Sequence, residues 1–158
     1  MKILAIDPGN EQSAFVLWEG NFIHNMGIWP NQKFIDSIHE FEYDIMAIEM
    51  IASYGMPVGK TTFETCVWIG RFYERCFMST PVIKFFEGKI RLIYRKDVKI
   101  HLCNSMKAKD SNIRQALIDR FGECGTKKNP GILYGVSKDI WSALAIAVYV
   151  HDKMIGIY

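Results

Sequence analysis

Residues 2–9 read Lys-Ile-Leu-Ala-Ile-Asp-Pro-Gly, and this stretch decides the fold. The apolar run Ile3–Ile6 is typical of a buried strand, and Pro8-Gly9 ends it in a turn. The predicted strand therefore ends on a carboxylate, Asp7. A second short apolar run over residues 45–48 ends in the same way, on Glu49.

The residues between these two runs predict a hairpin and a helix. Two apolar segments, Ala14–Trp18 and Phe22–Ile28, flank the turn cluster Glu19-Gly20-Asn21 and indicate an antiparallel hairpin. Apolar residues at helical spacing predict a helix over Asn31–Phe41, with Asn31 as a possible N-cap. Because a helix precedes the strand that ends at Glu49, we expect that strand to lie parallel to the first.

The remaining chain predicts a three-layer α/β architecture with a mixed sheet, in a single domain spanning residues 1–158. The predicted elements are, in order, a loop (Ile51–Lys60), a helix (Thr61–Met78), a strand (Ile90–Tyr94), a short helix (Asp97–Cys103), a helix capped by Asp110-Ser111, a loop (Gly122–Gly135) and a helix capped by Ser137 (Lys138–Lys153). The last helix is apolar on nearly every side between Ile140 and Val150, which indicates burial.

Composition excludes several classes of protein. Hydrophobic residues make up 49% of the 158 residues and charged residues 23%, as in ordinary globular proteins. No apolar run reaches the ~18 residues of a membrane span, and the early acid at position 7 argues against a signal peptide. The four cysteines have no C-x-x-C spacing, so we expect a cytoplasmic protein without a disulfide framework.

The net charge of +2 conceals a basic segment. Residues 84–128 hold 12 Lys or Arg against 5 Asp or Glu, which leaves the rest of the chain acidic. Such a segment either binds a polyanion or forms a solvated helix face. Its basic residues that we consider for nucleic-acid binding are Lys99, Lys107, Lys109, Arg114, Lys127 and Lys128.

Carboxylates at the ends of two neighbouring buried strands predict a metal site. Ligands of open α/β sheets bind beyond the carboxyl ends of the strands, where Asp7 and Glu49 would lie side by side. Two such acids repel each other unless a cation joins them, and Mg²⁺ prefers oxygen ligands. A third acid, Asp139, opens the apolar last helix, although there it could serve only to interact with the helix dipole. For Asp7 and Glu49, the alternative is a structural role as an acid that caps a turn.

A phosphate-binding loop is excluded on spacing. Gly55-Met-Pro-Val-Gly59-Lys60-Thr61 places three residues between the first glycine and Gly-Lys, whereas the P-loop needs four. The four histidines form no ligand cluster at recognisable spacing.

With these residues in hand, the chain resembles the RuvC family of Holliday-junction resolvases, which are RNase H-like nucleases, and in particular the compact versions carried by bacteriophages. The stretches that carry the resemblance are Ile6-Asp7-Pro8-Gly9, Ala47-Ile48-Glu49, Arg95-Lys96-Asp97-Val98-Lys99, Ala108-Lys109 with Ile113-Arg114, and Asp139-x-x-Ser142-Ala143-Leu144-Ala145-Ile146-Ala147.

The resemblance implies an RNase H-like fold, a homodimer that nicks four-way junctions symmetrically, and two Mg²⁺ ions, for which Mn²⁺ can substitute. Asp7, Glu49 and Asp139 match the family's metal ligands, and Lys99 matches a lysine expected near the scissile phosphate. Lys109 lies one position from a second such lysine.

Two departures from the family pattern leave alternatives open. Ser142 stands where the family usually has an acid, and Ala52 stands where an aromatic residue can insert at the junction centre, with Tyr54 as the nearest aromatic. The alternatives are an RNase H-like nuclease acting on other branched DNA or on RNA, a junction-binding protein without catalysis, and an actin-like ATP-binding fragment.

Overall fold

The computed structural model describes residues 1–53, 55, 57–78 and 89–157. Its main sheet has five strands, which are β1 (Lys2–Asp7), β2 (Gln12–Glu19), β3 (Phe22–Pro30), β4 (Ile45–Met50) and β5 (Ile90–Tyr94). The strands lie in the order β3-β2-β1-β4-β5. The first three form an antiparallel meander, whereas β4 and β5 run parallel to β1. The predicted hairpin, the predicted mixed sheet and the parallel alignment of β4 with β1 are therefore confirmed.

Helices cover both faces of this sheet. They are α1 (Asn31–Ser37), which continues as a 3-10 turn over Ile38–Glu40, α2 (Lys60–Met78), α3 (Arg95–Cys103), α4 (Asp110–Phe121) and α5 (Ile140–Met154). One face packs against α1 and α2, and the other packs against α5, on which α3 and α4 rest. The expected three-layer α/β class is confirmed. None of the helices in the described part of the chain is both long enough and apolar enough to span a membrane.

The alternation of side chains along β1 divides the core in two. Ile3 and Ala5 belong to the cluster on the α5 side, whereas Leu4 and Ile6 belong to the cluster on the side of α1 and α2. All four are fully buried. This period of two is the geometry of a strand that is covered on both faces, and it explains why the whole run is apolar.

Small residues let α5 lie close to the sheet. Ala143 and Ala147 are fully buried in the same cluster as Ala5 and Ala47 of the central strands. A helix with alanines at its contact face can approach a sheet more closely than one with larger side chains. The first turn of α5 is thereby brought towards the carboxyl ends of β1 and β4.

The prediction that Asn31 caps a helix is wrong. The residue at the cap position of α1 is Pro30, and no side chain caps the helix. The buried Asn31 side chain instead accepts a hydrogen bond from Ser13 Oγ at 2.6 Å and donates one to the Gly9 carbonyl at 2.8 Å. A tertiary contact thus uses the amide that a cap would have needed.

Two further predicted caps are also wrong. Lys109 occupies the cap position of α4, and its N–H donates to the Asn112 side chain at 2.8 Å, so neither Asp110 nor Ser111 caps the helix. The last helix begins at Ile140 rather than at Lys138, because Lys138 adopts a φ of 49° that no right-handed helix allows. Ser137 therefore lies in the preceding turn.

The predicted loop over Gly122–Gly135 contains a short two-stranded hairpin. Its strands are β6 (Gly125–Thr126) and β7 (Asn129–Pro130), which pair in an antiparallel manner. Gly125 has a φ of 74°, and a Cβ at this residue would lie 2.4 Å from the Asn129 carbonyl oxygen, so the turn requires glycine. The hairpin presents Lys127 and Lys128 at its tip, where both are exposed.

Candidate active site

The register of the central strands brings the first two acids together. Parallel pairing aligns Ile6 of β1 with Ile48 of β4, and the next residue of each strand is an acid. Asp7 follows Ile3 and Ala5 at intervals of two, and Glu49 follows Ile45 and Ala47, so both acids belong to the α5 face of the sheet. The prediction that these acids meet at the strand ends is confirmed.

Asp7 and Glu49 are in direct contact. The pKa of Asp7 is raised to about 8, chiefly by burial and then by the neighbouring Glu49 through its charge and a side-chain hydrogen bond. The Asp139 carboxylate acts in the same direction, whereas Arg95 opposes it. Asp7 therefore keeps its proton near neutral pH when no further cation is bound, because a second charge beside Glu49 in this buried place is unfavourable.

The turn that follows Asp7 is held by buried polar contacts. The Gly9 N–H donates to Ser13 Oγ at 3.4 Å, and the Asn31 amide bonds both Ser13 and the Gly9 carbonyl. A Cβ at Gly9 would lie 2.4 Å from the Gln12 carbonyl oxygen, so no larger residue fits this turn. These contacts fix the direction in which the chain leaves Asp7.

Helix α5 supplies two more groups to the same place. Asp139 precedes its first turn, and Ser142 lies one turn further along the same face. Both residues line a cavity of about 690 Å³ together with Asp7 and Glu49. The other residues that line it are Pro8, Met50, Ile51, Ala52, Arg95, Lys96, Lys99, Met106 and Asp110.

Arg95 is the centre of the polar contacts in this cavity. Its Nη1 donates to Glu49 Oε1 at 3.2 Å, to Glu49 Oε2 at 3.3 Å and to Ser142 Oγ at 3.1 Å. Its Nη2 donates to Asp110 Oδ1 at 2.6 Å. Burial lowers the pKa of Arg95, but Glu49 and Asp110 raise it overall, so the guanidinium stays charged.

The oxygen donors of this cavity fit a magnesium ion. Asp7 and Glu49 share a hydrogen bond that a divalent cation would replace, and Asp139 lines the same cavity. All three are carboxylates, which Mg²⁺ prefers. Within the described residues, no three His, Cys, Asp or Glu side chains converge closely enough to form a ligand cluster as they stand. The assignment of Asp7, Glu49 and Asp139 as metal ligands stays a prediction.

The basic residues occupy different places. Lys99 lines the cavity with the acids, as expected for a group near a bound phosphate. Lys107 and Lys109 are exposed just before α4, and exposed Arg114 lies over the Trp141 ring at 5.0 Å from its centroid. With Lys127 and Lys128 at the hairpin tip, they form a discontinuous basic surface. Tyr54 and the beginning of the basic segment, residues 84–88, lie outside the described residues.

Asp152 lies away from the cavity, at the other end of α5. Its fully buried carboxylate receives hydrogen bonds from Arg120 Nη1 at 2.5 Å and Nη2 at 2.7 Å, and it lies 2.7 Å from His101 Nε2. This triad joins α3, α4 and α5. Asp152 is therefore too far from the cavity to replace the acid that Ser142 lacks.

Sequence reasoning missed the roles of Arg95 and Asp110. Arg95 directly follows β5, which runs parallel to β4 and ends at the same edge of the sheet. The rule that selected Asp7 and Glu49 selects Arg95 as well once it is relaxed to any parallel strand, since β5 itself is only partly buried. Asp110 has no comparable signal, because its contact depends on how α4 packs.

Comparison with known proteins gave matches among solved structures. Thermus thermophilus RuvC superposes with a TM-score of 0.67 at 16% identity, over 99% of this chain and 98% of that protein. T. thermophilus RuvC solved in complex with a Holliday junction substrate gives a TM-score of 0.69 at 15% identity, over 99% and 97% of the two chains. The chain has a RuvC-like fold. Neither a family model nor a curated protein sequence matched it.

Proposed function

We propose that this protein is a Mg²⁺-dependent endonuclease that nicks four-way DNA junctions. The observation that carries the proposal is the convergence of Asp7, Glu49, Asp139 and Lys99 on one cavity at the carboxyl ends of the central strands. The RuvC-like fold supports the choice of substrate, since a structural neighbour was solved with a Holliday junction.

The reaction would be the hydrolysis of one phosphodiester bond on each of two strands. A water oxygen forms a new bond to phosphorus while the bond from phosphorus to O3′ breaks. One proton of that water is released and O3′ gains a proton, which leaves a 3′-hydroxyl and a 5′-phosphate. Mg²⁺ held by Asp7, Glu49 and Asp139 would activate the water and stabilise the leaving oxygen.

Basic residues inside and outside the cavity would bind and orient the DNA strand. Lys99 lines the same cavity as the acids, where its ammonium group would contact a phosphate oxygen next to the bond that breaks. Lys107, Lys109, Arg114 and the hairpin tip would contact phosphates further along the arms. Most of these side chains are exposed, and contacts to phosphates supply affinity rather than sequence recognition.

The exposed surface of α2 supports the proposal of a homodimer. Phe63 and Val67 lie one turn apart and are 61% and 62% exposed, and Gly70 follows on the same face with open space around it. Large apolar side chains exposed side by side mark an interaction surface. A second copy of the chain would cover them and would supply the second cavity that symmetric nicking needs.

The proposal is tested by incubating the purified protein with labelled four-way junction, flap and duplex DNA, with and without Mg²⁺. We expect paired nicks in the junction only when Mg²⁺ is present. Asp7→Asn should abolish nicking, because it removes a charge that would hold the ion. It should leave junction binding intact, because it removes no contact to a phosphate. The exposed Asp36, on α1 outside the cavity, provides the matched control Asp36→Asn, which should nick normally.

The outcomes separate this proposal from its alternatives. Normal nicking by Asp7→Asn would contradict the metal assignment. Preferential cleavage of flaps or of RNA would favour a related RNase H-like nuclease. Junction binding without any nicking would favour a non-catalytic role, for which the pairing of Glu49 with Arg95 is the supporting contact. A phage origin and a cytoplasmic location stay predictions.

A further inference from the structure

Arg95 occupies a position that the proposed mechanism leaves without a role. It lies inside the cavity of the acids, yet its contacts are with the protein itself. We propose that the Arg95 guanidinium is a built-in cation of this site and takes the place of a second divalent ion, so that each chain binds one ion. This inference rests on the proposed nuclease function and deepens it.

The contacts of Arg95 fix its charge in place. One nitrogen, Nη1, lies between both oxygens of Glu49 and the hydroxyl of Ser142, and the other, Nη2, reaches Asp110. These partners belong to β4, α5 and α4, and Arg95 itself begins α3. A planar guanidinium held from three elements has little freedom to leave, in contrast to a lysine on the surface.

Ser142 matches a guanidinium better than it matches a metal ion. Its neutral hydroxyl accepts a hydrogen bond from Nη1 at 3.1 Å. A hydroxyl is a weak ligand for a hard cation, whereas it is an ordinary acceptor for an N–H donor. Arg95 also donates to both oxygens of Glu49, so part of the charge of that carboxylate is compensated before any ion binds.

The charge of the cavity is balanced by one divalent ion. The charged side chains that line it are four acids and three bases, which are Asp7, Glu49, Asp110 and Asp139 with Arg95, Lys96 and Lys99. Their net charge is −1 when all are ionised. One divalent cation and one phosphodiester group bring the total to zero. A second divalent cation would leave an excess of two positive charges in a partly enclosed space, which is unfavourable.

The test counts bound ions directly. Mn²⁺ is titrated into the full-length protein without DNA, and free Mn²⁺ is followed by electron paramagnetic resonance. We expect one ion per chain for the wild type. The double variant Arg95→Ala with Ser142→Asp exchanges the cation for one more carboxylate beside Asp7, Glu49 and Asp139, and it should bind two ions. Arg71→Ala, which removes the same charge from α2 outside the cavity, should bind one ion.

A nicking assay in Mg²⁺ supplies the second measurement. Arg95→Ala should lower the nicking rate by about 10²–10³-fold, the size of effect seen when a fixed electrostatic donor is removed from an active site. Arg95→Lys keeps the charge but loses the planar guanidinium, so its nicking rate should lie between those of the wild type and Arg95→Ala. Circular dichroism of each variant confirms that it is folded, and the ion count of the wild type needs no variant at all.

Either measurement can overturn the inference. Two ions, or none, bound per wild-type chain would refute it, as would wild-type nicking by a folded Arg95→Ala. These failures differ from failure of the proposed function. A wild-type protein that nicks junctions and binds two ions refutes only the role of Arg95. A wild-type protein that nicks no junction in Mg²⁺ refutes the proposed function, whatever its ion count.

Discussion

Asp152→Asn should destabilise the protein far more than an ordinary surface substitution. The Asp152 carboxylate is fully buried and holds α3, α4 and α5 together through His101 and Arg120. An asparagine keeps the shape, but it removes the negative charge and turns an N–H donor towards one of these two partners. The variant therefore leaves the Arg120 guanidinium without its buried counter-ion.

The cost follows from the burial of the three side chains. Removing one partner of a fully buried ion pair costs about 3–5 kcal/mol. The Arg120 side chain is 34% exposed, so water solvates part of its charge after the substitution, whereas that of His101 is only 8% exposed. Discounting for this exposure leaves about 2–3 kcal/mol. For a chain of this length, the midpoint of thermal unfolding should fall by about 4–12 °C.

The assay is urea unfolding at pH 7, followed by circular dichroism, with Asp119→Asn as the matched control. Asp119 is an exposed carboxylate on α4 that accepts a hydrogen bond from Gln115, and its loss should cost less than about 0.5 kcal/mol. A free energy of unfolding for Asp152→Asn within 0.5 kcal/mol of the wild type would refute the argument that this triad clamps the three helices.

The difference in unfolding free energy between the wild type and Asp152→Asn should depend on pH, and this dependence provides a further check. Burial raises the pKa of Asp152, but the hydrogen bonds from Arg120 and His101 outweigh it and leave the pKa below its ordinary value of 3.8. A lowered pKa contributes stability above the unfolded value that is lost as the pH falls through the folded one. The gap between wild type and variant should therefore be full at neutral pH and narrow below about pH 4.

Three other predictions concern the surfaces and the turn after Asp7. Replacing Lys127 and Lys128 with alanine should reduce the slope of log affinity against log salt by about 0.9 for each lost phosphate contact, and a wild-type affinity that ignores salt would contradict the basic surface. Val67→Asp should convert a dimer into a monomer in sedimentation, and an unchanged mass would count against α2 as the interface. Asn31→Ala should cost about 1–3 kcal/mol in urea unfolding, since it orphans Ser13 and a carbonyl, and a cost below 0.5 kcal/mol would contradict that network.

The sequence predicted those parts of the fold that depend on local patterns. Short apolar runs bounded by turn residues located β1 and β4, which are buried on both faces, and helical spacing located the helices. The predicted cap at Asn31 failed because of a tertiary contact, and the predicted cap at Ser137 failed because of the local backbone conformation. Asn31 is drawn into a contact with Ser13 and Gly9, and Lys138 adopts a backbone conformation that interrupts the helix.

The sequence predicted only those residues of the candidate site that lie at the ends of apolar strands. Asp7 and Glu49 each close an apolar run, so their meeting required only the parallel pairing of two strands. The role of Arg95 depends on the simultaneous approach of β4, α4 and α5, and no spacing in the chain encodes that approach. Asp152 presents the same difficulty, since its partners lie 32 and 51 residues away along the chain.

The energetics of the central acids argue for function rather than for stability. The sheet register and the alanines of α5 force Asp7 against Glu49, and burial there disfavours the ionised form of Asp7. An apolar pair at these positions would extend the core without that cost. The rigid strands beneath hold the two carboxyl groups in contact, and a bound cation would let Asp7 ionise beside Glu49. A fold that maintains such an arrangement provides a site ready to bind positive charge, and Arg95 already supplies part of that charge.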